Sequence, residues 1–228
     1  MADGRRSPDS VSSPEEGYSA APFVPEGADL AALRSAAAGC RGCPLHGPAT
    51  QTVFGSGEAS ARLVLVGEQP GDQEDRQGRP FVGPAGKVLT RALDEAGIDP
   101  DEAYVTNAVK HFKFELVPER GKRRIHKAPN LHELTACRPW LAAELRLIEP
   151  EMIVALGATA GKALLGSSFR VSRQRGMLLP CPDLDGYQSS GDCVVATIHP
   201  SAVLRADDRE SVYQGLVSDL RVVARALG

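Results

Sequence analysis

Four short apolar runs, rich in β-branched residues, mark the chain: Leu63-Val64-Leu65-Val66, Tyr104-Val105-Thr106, Ile153-Val154-Ala155-Leu156 and Val194-Val195-Ala196-Thr197-Ile198. Hydrophobicity that runs on without alternation predicts strands buried on both faces, as in a parallel sheet. Between the runs, apolar residues recur at helical spacing. Val88, Leu89, Ala92, Leu93 and Ala96 form one stripe, closed by Gly97. Leu131, Leu134, Leu141, Leu145 and Ile148 form a second, with Pro129 near its start. Pro139 falls inside that stripe and predicts a kink or a detached first turn. Val212, Leu216, Leu220 and Val223 form the last stripe, with Asp207 or Asp208 placed to cap it. Strands alternating with helices predict an α/β fold built on a short, four-stranded parallel sheet. Residues 1–27 are rich in Ser, Pro, Gly and charge and predict a disordered tail, so residues 28–228 form a single domain.

Composition narrows the class. The chain has 228 residues, 42% hydrophobic and 24% charged, enough for one sizeable core. No apolar run reaches the ~18 residues of a membrane helix, and no hydrophobic leader opens the chain. The expected setting is therefore the cytoplasm, with no membrane partner. In that reducing compartment the five cysteines are read as thiols or metal ligands rather than disulfides. The first thirty residues hold Arg5 and Arg6 against six acidic residues, a balance of −4, so a chain at −3 overall leaves its body at +1. Such a body allows a local basic face without demanding one.

The chemistry gathers where strands end. In open α/β sheets, ligands sit beyond the carboxyl ends of the strands. The first run leads into Gly67-Glu68-Gln69-Pro70-Gly71, the second ends at Asn107, and the fourth ends at His199-Pro200-Ser201. Lys122-Arg123-Arg124-Ile125-His126 stands in a polar, turn-rich insertion. Its charge suits a phosphate backbone, and its terminal histidine adds a nucleophile or an acid–base group, although most short basic runs are solvated loops. Cys40-Arg41-Gly42-Cys43 is a Cys-x-x-Cys pair. His111, Cys137, Cys181 and Cys193 are the soft residues that could complete a zinc or iron–sulfur site around it. Cys137 falls near the predicted start of a helix, where the dipole favours thiolate, and Cys193 reads as core.

Taken together, these residues resemble the uracil-DNA glycosylase superfamily, and within it the iron–sulfur branch. The resemblance rests on Cys40-x-x-Cys43-Pro44-Leu45, Gly67 to Gly71, Gly78-Arg79-Pro80-Phe81-Val82-Gly83-Pro84-Ala85-Gly86, Val105 to Lys110, Cys137 to Leu141 and His199-Pro200-Ser201. Gln69 and the Lys122 to His126 insertion resemble the UdgX-type subfamily, whose members remove uracil and stay covalently joined to the DNA. The resemblance implies a three-layer α/β/α sandwich around the four parallel strands. It also implies a 4Fe-4S cluster held by Cys40, Cys43, His111 and Cys137, with His111 standing where the branch usually carries cysteine.

The roles follow from that likeness. Phe81 would stack on the flipped base, within a pocket bounded by Gly67 and Gly71. Asn107 would read the base edge, its amide donating to O4 and its carbonyl accepting from N3–H. His199 would donate to O2 as uracil leaves, and Glu68 would steady the cationic sugar or act as a base. Gln69 would orient a group or a water. His126 would attack C1′, while Lys122, Arg123, Arg124 and Ser201 hold phosphates. Gly71 is expected to leave open the space beside the thymine methyl. The partner is uracil-containing DNA, expected single-stranded, with uracil as product and the protein a monomer. The alternatives are a glycosylase that turns over, with His126 on a phosphate, and a non-catalytic DNA-binding module stapled by a metal.

Overall fold

The computed structural model describes residues 17–117, 123–189 and 191–228. In chain order its strands are β1 (Leu63–Gly67), β2 (Ala103–Asn107), β3 (Phe114–Val117), β4 (Arg123–His126), β5 (Met152–Leu156), β6 (Leu178–Pro180) and β7 (Asp192–Thr197). Its helices are α1 (Leu30–Ala37), α2 (Asp72–Gln77), α3 (Pro84–Ala96), α4 (Leu131–Ile148), α5 (Ala158–Leu165), α6 (Val171–Gln174), α7 (Ser201–Arg205) and α8 (Arg209–Leu227).

The central sheet has the order β2-β1-β5-β7-β6. The four strands read from the apolar runs are its parallel members, and every residue of β1 and β5 is buried. Successive side chains point to opposite faces. Leu63, Leu65, Val154, Leu156 and Val195 pack with Leu89 and Leu93 of α3 and Leu216 and Leu220 of α8. Val64, Val66, Ile153, Ala155 and Val194 pack with Leu141 and Leu145 of α4 and Leu164 of α5. The result is the expected α/β/α sandwich.

Several expectations need correction. The sheet has a fifth strand, β6, antiparallel to β7. Three residues ending in proline carry too little pattern to be read as a strand. The basic insertion is a hairpin, not a loop: β3 and β4 pair antiparallel, with Phe114 opposite His126 and Leu116 opposite Arg124. Pro139 neither divides α4 nor sheds its first turn, and the helix runs unbroken from an Asn130 cap with Glu133 in a reciprocal capping box. Residues 1–16 of the expected tail lie outside the described residues. Within residues 17–27 Ala20 is buried, and its N–H donates to the Ala136 carbonyl at 2.7 Å. Gly42 permits this approach, since a Cβ there would stand 2.7 Å from the Ala20 backbone. Cys181 and Cys193 form a disulfide, their Cα atoms 4.9 Å apart. Pairing between β6 and β7 brings the two residues side by side, which their sequence spacing does not announce.

Candidate active site

The parallel register carries the ends of β1 and β2 to one edge, with Gly67 opposite Asn107. Gly67 makes the contact possible: a Cβ there would lie 2.3 Å from Asn107 Oδ1 and 2.6 Å from Phe81 Cζ. Phe81 has φ +54, a left-handed conformation that costs energy for a residue with a side chain. Its loop folds so tightly that a Cβ on Gly86 would sit 1.6 Å from the Phe81 carbonyl oxygen. The aromatic ring is thereby turned to the sheet edge, where it faces the His199 ring with centroids 6.2 Å apart and planes 29° from parallel.

Asn107 is buried, and its Oδ1 has no hydrogen-bond partner. A buried acceptor left unpaired is costly, so this atom is poised for a donor from outside the protein. Behind it lies an ion pair without solvent. Lys110 Nζ donates to Glu144 Oε2 at 2.6 Å, to Thr106 Oγ1 at 2.7 Å and to the Asn107 backbone carbonyl at 2.7 Å. Glu144 also accepts from the Tyr104 hydroxyl at 2.8 Å and from the Gly55 N–H at 3.2 Å. Every proton of the ammonium is used, which is what makes a buried charge tolerable.

His199 has a defined tautomer. The Ser201 backbone N–H donates to Nδ1 at 3.1 Å, and the Ser201 hydroxyl lies 2.7 Å from the same nitrogen. A nitrogen that accepts carries no proton, so the ring hydrogen is on Nε2. Burial, with Arg205 and His126 adding to it, pulls the imidazole down to about 4, so it is neutral at pH 7. The Ser201 hydroxyl, expected at a phosphate, is instead committed to His199 and to Arg205 Nη1 at 3.0 Å.

The hairpin arrives at the same edge through side chains. Gln69 Oε1 accepts from the Lys113 N–H at 3.0 Å, while its amide nitrogen donates toward the carbonyls of Lys113 (3.2 Å) and Lys127 (2.9 Å) and His126 Nε2 (2.9 Å). A donor at His126 Nε2 leaves the lone pair there and the ring proton on Nδ1. The same Nε2 is 3.4 Å from Glu68 Oε1. Burial keeps His126 below the usual imidazole value; Glu68 opposes this and Arg205 reinforces it. Glu68 Oε2 accepts from the Thr159 hydroxyl.

The basic residues divide. Arg124 is an internal strut rather than a phosphate contact: its guanidinium binds Asp72 and, at 2.5 Å, the fully buried Asp75, and stacks on Phe112 and Phe114. Arg123 projects into solvent from the opposite face of β4. Lys122 lies outside the described residues. Gly71 does not leave an open space. A Cβ there would lie 2.6 Å from Glu74 Oε2, whose carboxylate bridges the N–H groups of Gly71 (3.1 Å) and Gly83 (2.8 Å).

Cys40, Cys43 and Cys137 are free, buried and members of one cluster with Leu45, Phe54 and Trp140. Cys137 stands in the second turn of α4, not at its start, and burial pushes its thiol up to about 12. Burial also raises the Cys43 thiol. His111 Nε2 is 2.9 Å from Thr52 Oγ1, which itself donates to the Ala37 carbonyl, so the ring proton is on Nε2. That leaves His111 Nδ1 as a buried lone pair without a partner. Among the described residues no three His, Cys, Asp or Glu side chains converge as they would on a single metal ion. Three buried free thiols and an imidazole lone pair without a partner are donor types that an iron–sulfur cluster takes.

Sequence reasoning missed Thr159, Glu74, Asp72, Asp75, Arg205, Lys110 and Glu144. Only Lys110 stood within a quoted motif. The model of the Uracil DNA glycosylase superfamily matches residues 54–221. The chain is similar to the Type-4 uracil-DNA glycosylase of Thermotoga maritima, 38% identical over 172 residues, which cover 75% of this chain and 81% of the relative. The Type-4 uracil-DNA glycosylase of Pyrobaculum aerophilum is 34% identical over 192 residues, 82% of this chain and 90% of the relative. That of Sulfurisphaera tokodaii is 33% identical over 190 residues, 81% of this chain and 80% of the relative.

Proposed function

The chain belongs to the uracil DNA glycosylase superfamily, and from that membership we propose that it excises uracil from DNA and is then captured on the sugar by His126. The observation that supports capture is the placement of a neutral imidazole nitrogen 3.4 Å from the Glu68 carboxylate. The substrate is uracil-containing DNA, taken single-stranded, and the protein acts as a monomer.

In this reading the flipped uracil lies on Phe81. N3–H donates to the unpaired Asn107 Oδ1, and His199 Nε2–H donates to O2. The bond from C1′ to N1 breaks, and its electron pair leaves with uracil as an anion held by these donors. Glu68 steadies the oxocarbenium ion at C1′ through Oε1. The His126 Nε2 lone pair then forms a bond to C1′, and the resulting imidazolium loses its Nδ1 proton to solvent. Gln69 has two N–H groups for three acceptors, so the Lys113 and Lys127 carbonyls can hold both once His126 Nε2 turns to C1′. Arg123 would contact a phosphate in this scheme, with Arg124 as the strut behind it.

Cys40, Cys43, His111 and Cys137 would hold a 4Fe-4S cluster, which would pin the N-terminal segment to α4 and supply no step of the reaction. Visible absorbance with stoichiometric iron and sulfide would support the cluster, and a colourless protein with one zinc would refute it.

Incubation with single-stranded uracil-containing DNA, followed by a denaturing gel, tests the capture. The expected result is a shifted protein–DNA band at one equivalent, with His126→Ser releasing uracil over many turnovers and giving no band. No shifted band, with abasic product beyond one equivalent from the parent protein, would refute it in favour of ordinary turnover. No uracil release at all would favour a binding module.

A further inference from the structure

Three strand ends deliver the residues just described: β1 delivers Glu68, β2 Asn107 and β7 His199. The fourth parallel strand, β5, lies between β1 and β7 in the sheet. The turn that follows it, Gly157-Ala158-Thr159, therefore stands between Glu68 and His199. We propose that this turn is part of the site and that Thr159 is a positioning residue, holding the Glu68 carboxylate so that one of its oxygens faces the sugar. The inference rests on the glycosylase reading and does not require capture by His126.

Two contacts carry it. The Thr159 hydroxyl donates to Glu68 Oε2, while Oε1 is the oxygen turned to His126. The two oxygens thus have separate duties, one anchored and one presented. A glutamate has three rotatable bonds, and an unheld carboxylate spends much of its time in other rotamers. Anchoring one oxygen removes that freedom before the substrate arrives, the kind of preorganisation on which oriented groups depend. Thr159 is suited to the task. It is β-branched and stiff at χ1. Its hydroxyl goes to the Glu68 carboxylate, 91 residues away in sequence. It also belongs to the first turn of α5, whose partial positive charge favours a carboxylate nearby.

The second contact is with His199. Gly157 has φ +95, donates its N–H to the Thr197 carbonyl at 2.9 Å, and leaves no room for a side chain: a Cβ there would lie 3.0 Å from His199 Cβ. The backbone of this turn is packed against one catalytic group while its threonine holds another. No motif marked it, because Gly-Ala-Thr-Ala reads as an ordinary helix start.

The test is single-turnover uracil release from single-stranded DNA by the full-length protein. Thr159→Val keeps the shape and loses the hydroxyl; Thr159→Ser keeps the hydroxyl. We expect Thr159→Val to slow release about tenfold or more, on the scale of losing an orienting contact. Binding to uracil-free single-stranded DNA should stay unchanged, and Thr159→Ser should restore release to within about threefold of the parent, because the donor is what matters. A double-mutant cycle guards against a folding defect. If Thr159 acts through Glu68, then Glu68→Gln/Thr159→Val is no slower than Glu68→Gln alone. The inference fails if Thr159→Val matches the parent, if Thr159→Ser falls as far as Thr159→Val, or if the two losses multiply. A parent protein that releases no uracil overturns the underlying reading instead.

Discussion

The base pocket and the β3–β4 hairpin meet at one edge of the sheet but are held there by different means. Asn107, Glu68 and His199 are placed by parallel strand register, with Gly67 opposite Asn107 and backbone hydrogen bonds running on past the strand end from Ala108 to Gly67 and from Val109 to Glu68. His126 is placed by two side chains. Gln69 grips the base of the hairpin, and Arg124 ties its middle to Asp72 and Asp75. A pocket built on backbone pairing survives most single substitutions. A hairpin held by side chains can be detached by one. The two functions proposed for this protein, release of uracil and capture of the sugar, should therefore be separable.

The largest effect should come from the pocket. His199→Ala removes the donor aimed at the leaving base, and release should fall about 10²- to 10³-fold. Capture should fall with it, since no cationic sugar forms; rapid-quench assays of free uracil and gel-shifted protein measure both. Next comes the strut. Arg124→Met leaves the buried Asp75 with the Thr50 N–H but without its cation, a loss expected to cost about 3 kcal/mol. Thermal denaturation should register that loss. At temperatures where the protein stays folded, capture should drop by more than tenfold while release stays within a few-fold. Equal losses in release and capture would erase the contrast between the two regions.

Acidification sharpens the contrast further. His199 is held at about 4 by burial, so it keeps its Nε2–H donor and its neutrality well below pH 6. His126 is also lowered by burial, though Glu68 opposes the shift. Its nucleophilic form is the neutral one, so capture should be flat from pH 8 to about 6.5 and decline below that as the imidazole takes a proton. Release should persist to lower pH than capture. The smallest effect belongs to Arg123. It is exposed and makes no internal ion pair among the described residues, so Arg123→Ala should weaken DNA binding modestly and lower the salt slope by about 0.7, the value for one single-strand phosphate contact. A slope change at Arg124 as large as that at Arg123 would mean that the buried arginine also reaches phosphate.

The sequence was most readable where burial is uniform. The β1 and β5 runs are apolar throughout because both faces of a central parallel strand are covered, and the helical stripes are periodic because one face is covered. It was least readable where polar residues work inside the fold. Glu144 sits between Leu141 and Leu145 on α4 and looks like a surface residue, yet it is fully buried against Lys110. Arg123 and Arg124 are adjacent and chemically identical. A hairpin sends them to opposite faces, one to solvent and one to Asp75. Cys137, expected near a helix start, lies in the second turn because α4 runs unbroken through Pro139 from its Asn130 cap.

From the chain alone one reads the layered α/β architecture, the order of the four parallel strands along the chain, and the identity of Glu68, Asn107, His199 and His126 as candidate groups, because hydrophobic burial and strand-end chemistry leave local marks. Folding in three dimensions assigns their work. It gives His199 its tautomer through Ser201, leaves Asn107 Oδ1 unpaired, brings His126 beside Glu68 through Gln69, and sets Thr159 against that same carboxylate. Each of these depends on contacts between residues distant in sequence or on the direction of a single hydrogen bond, and neither leaves a periodic trace in one dimension.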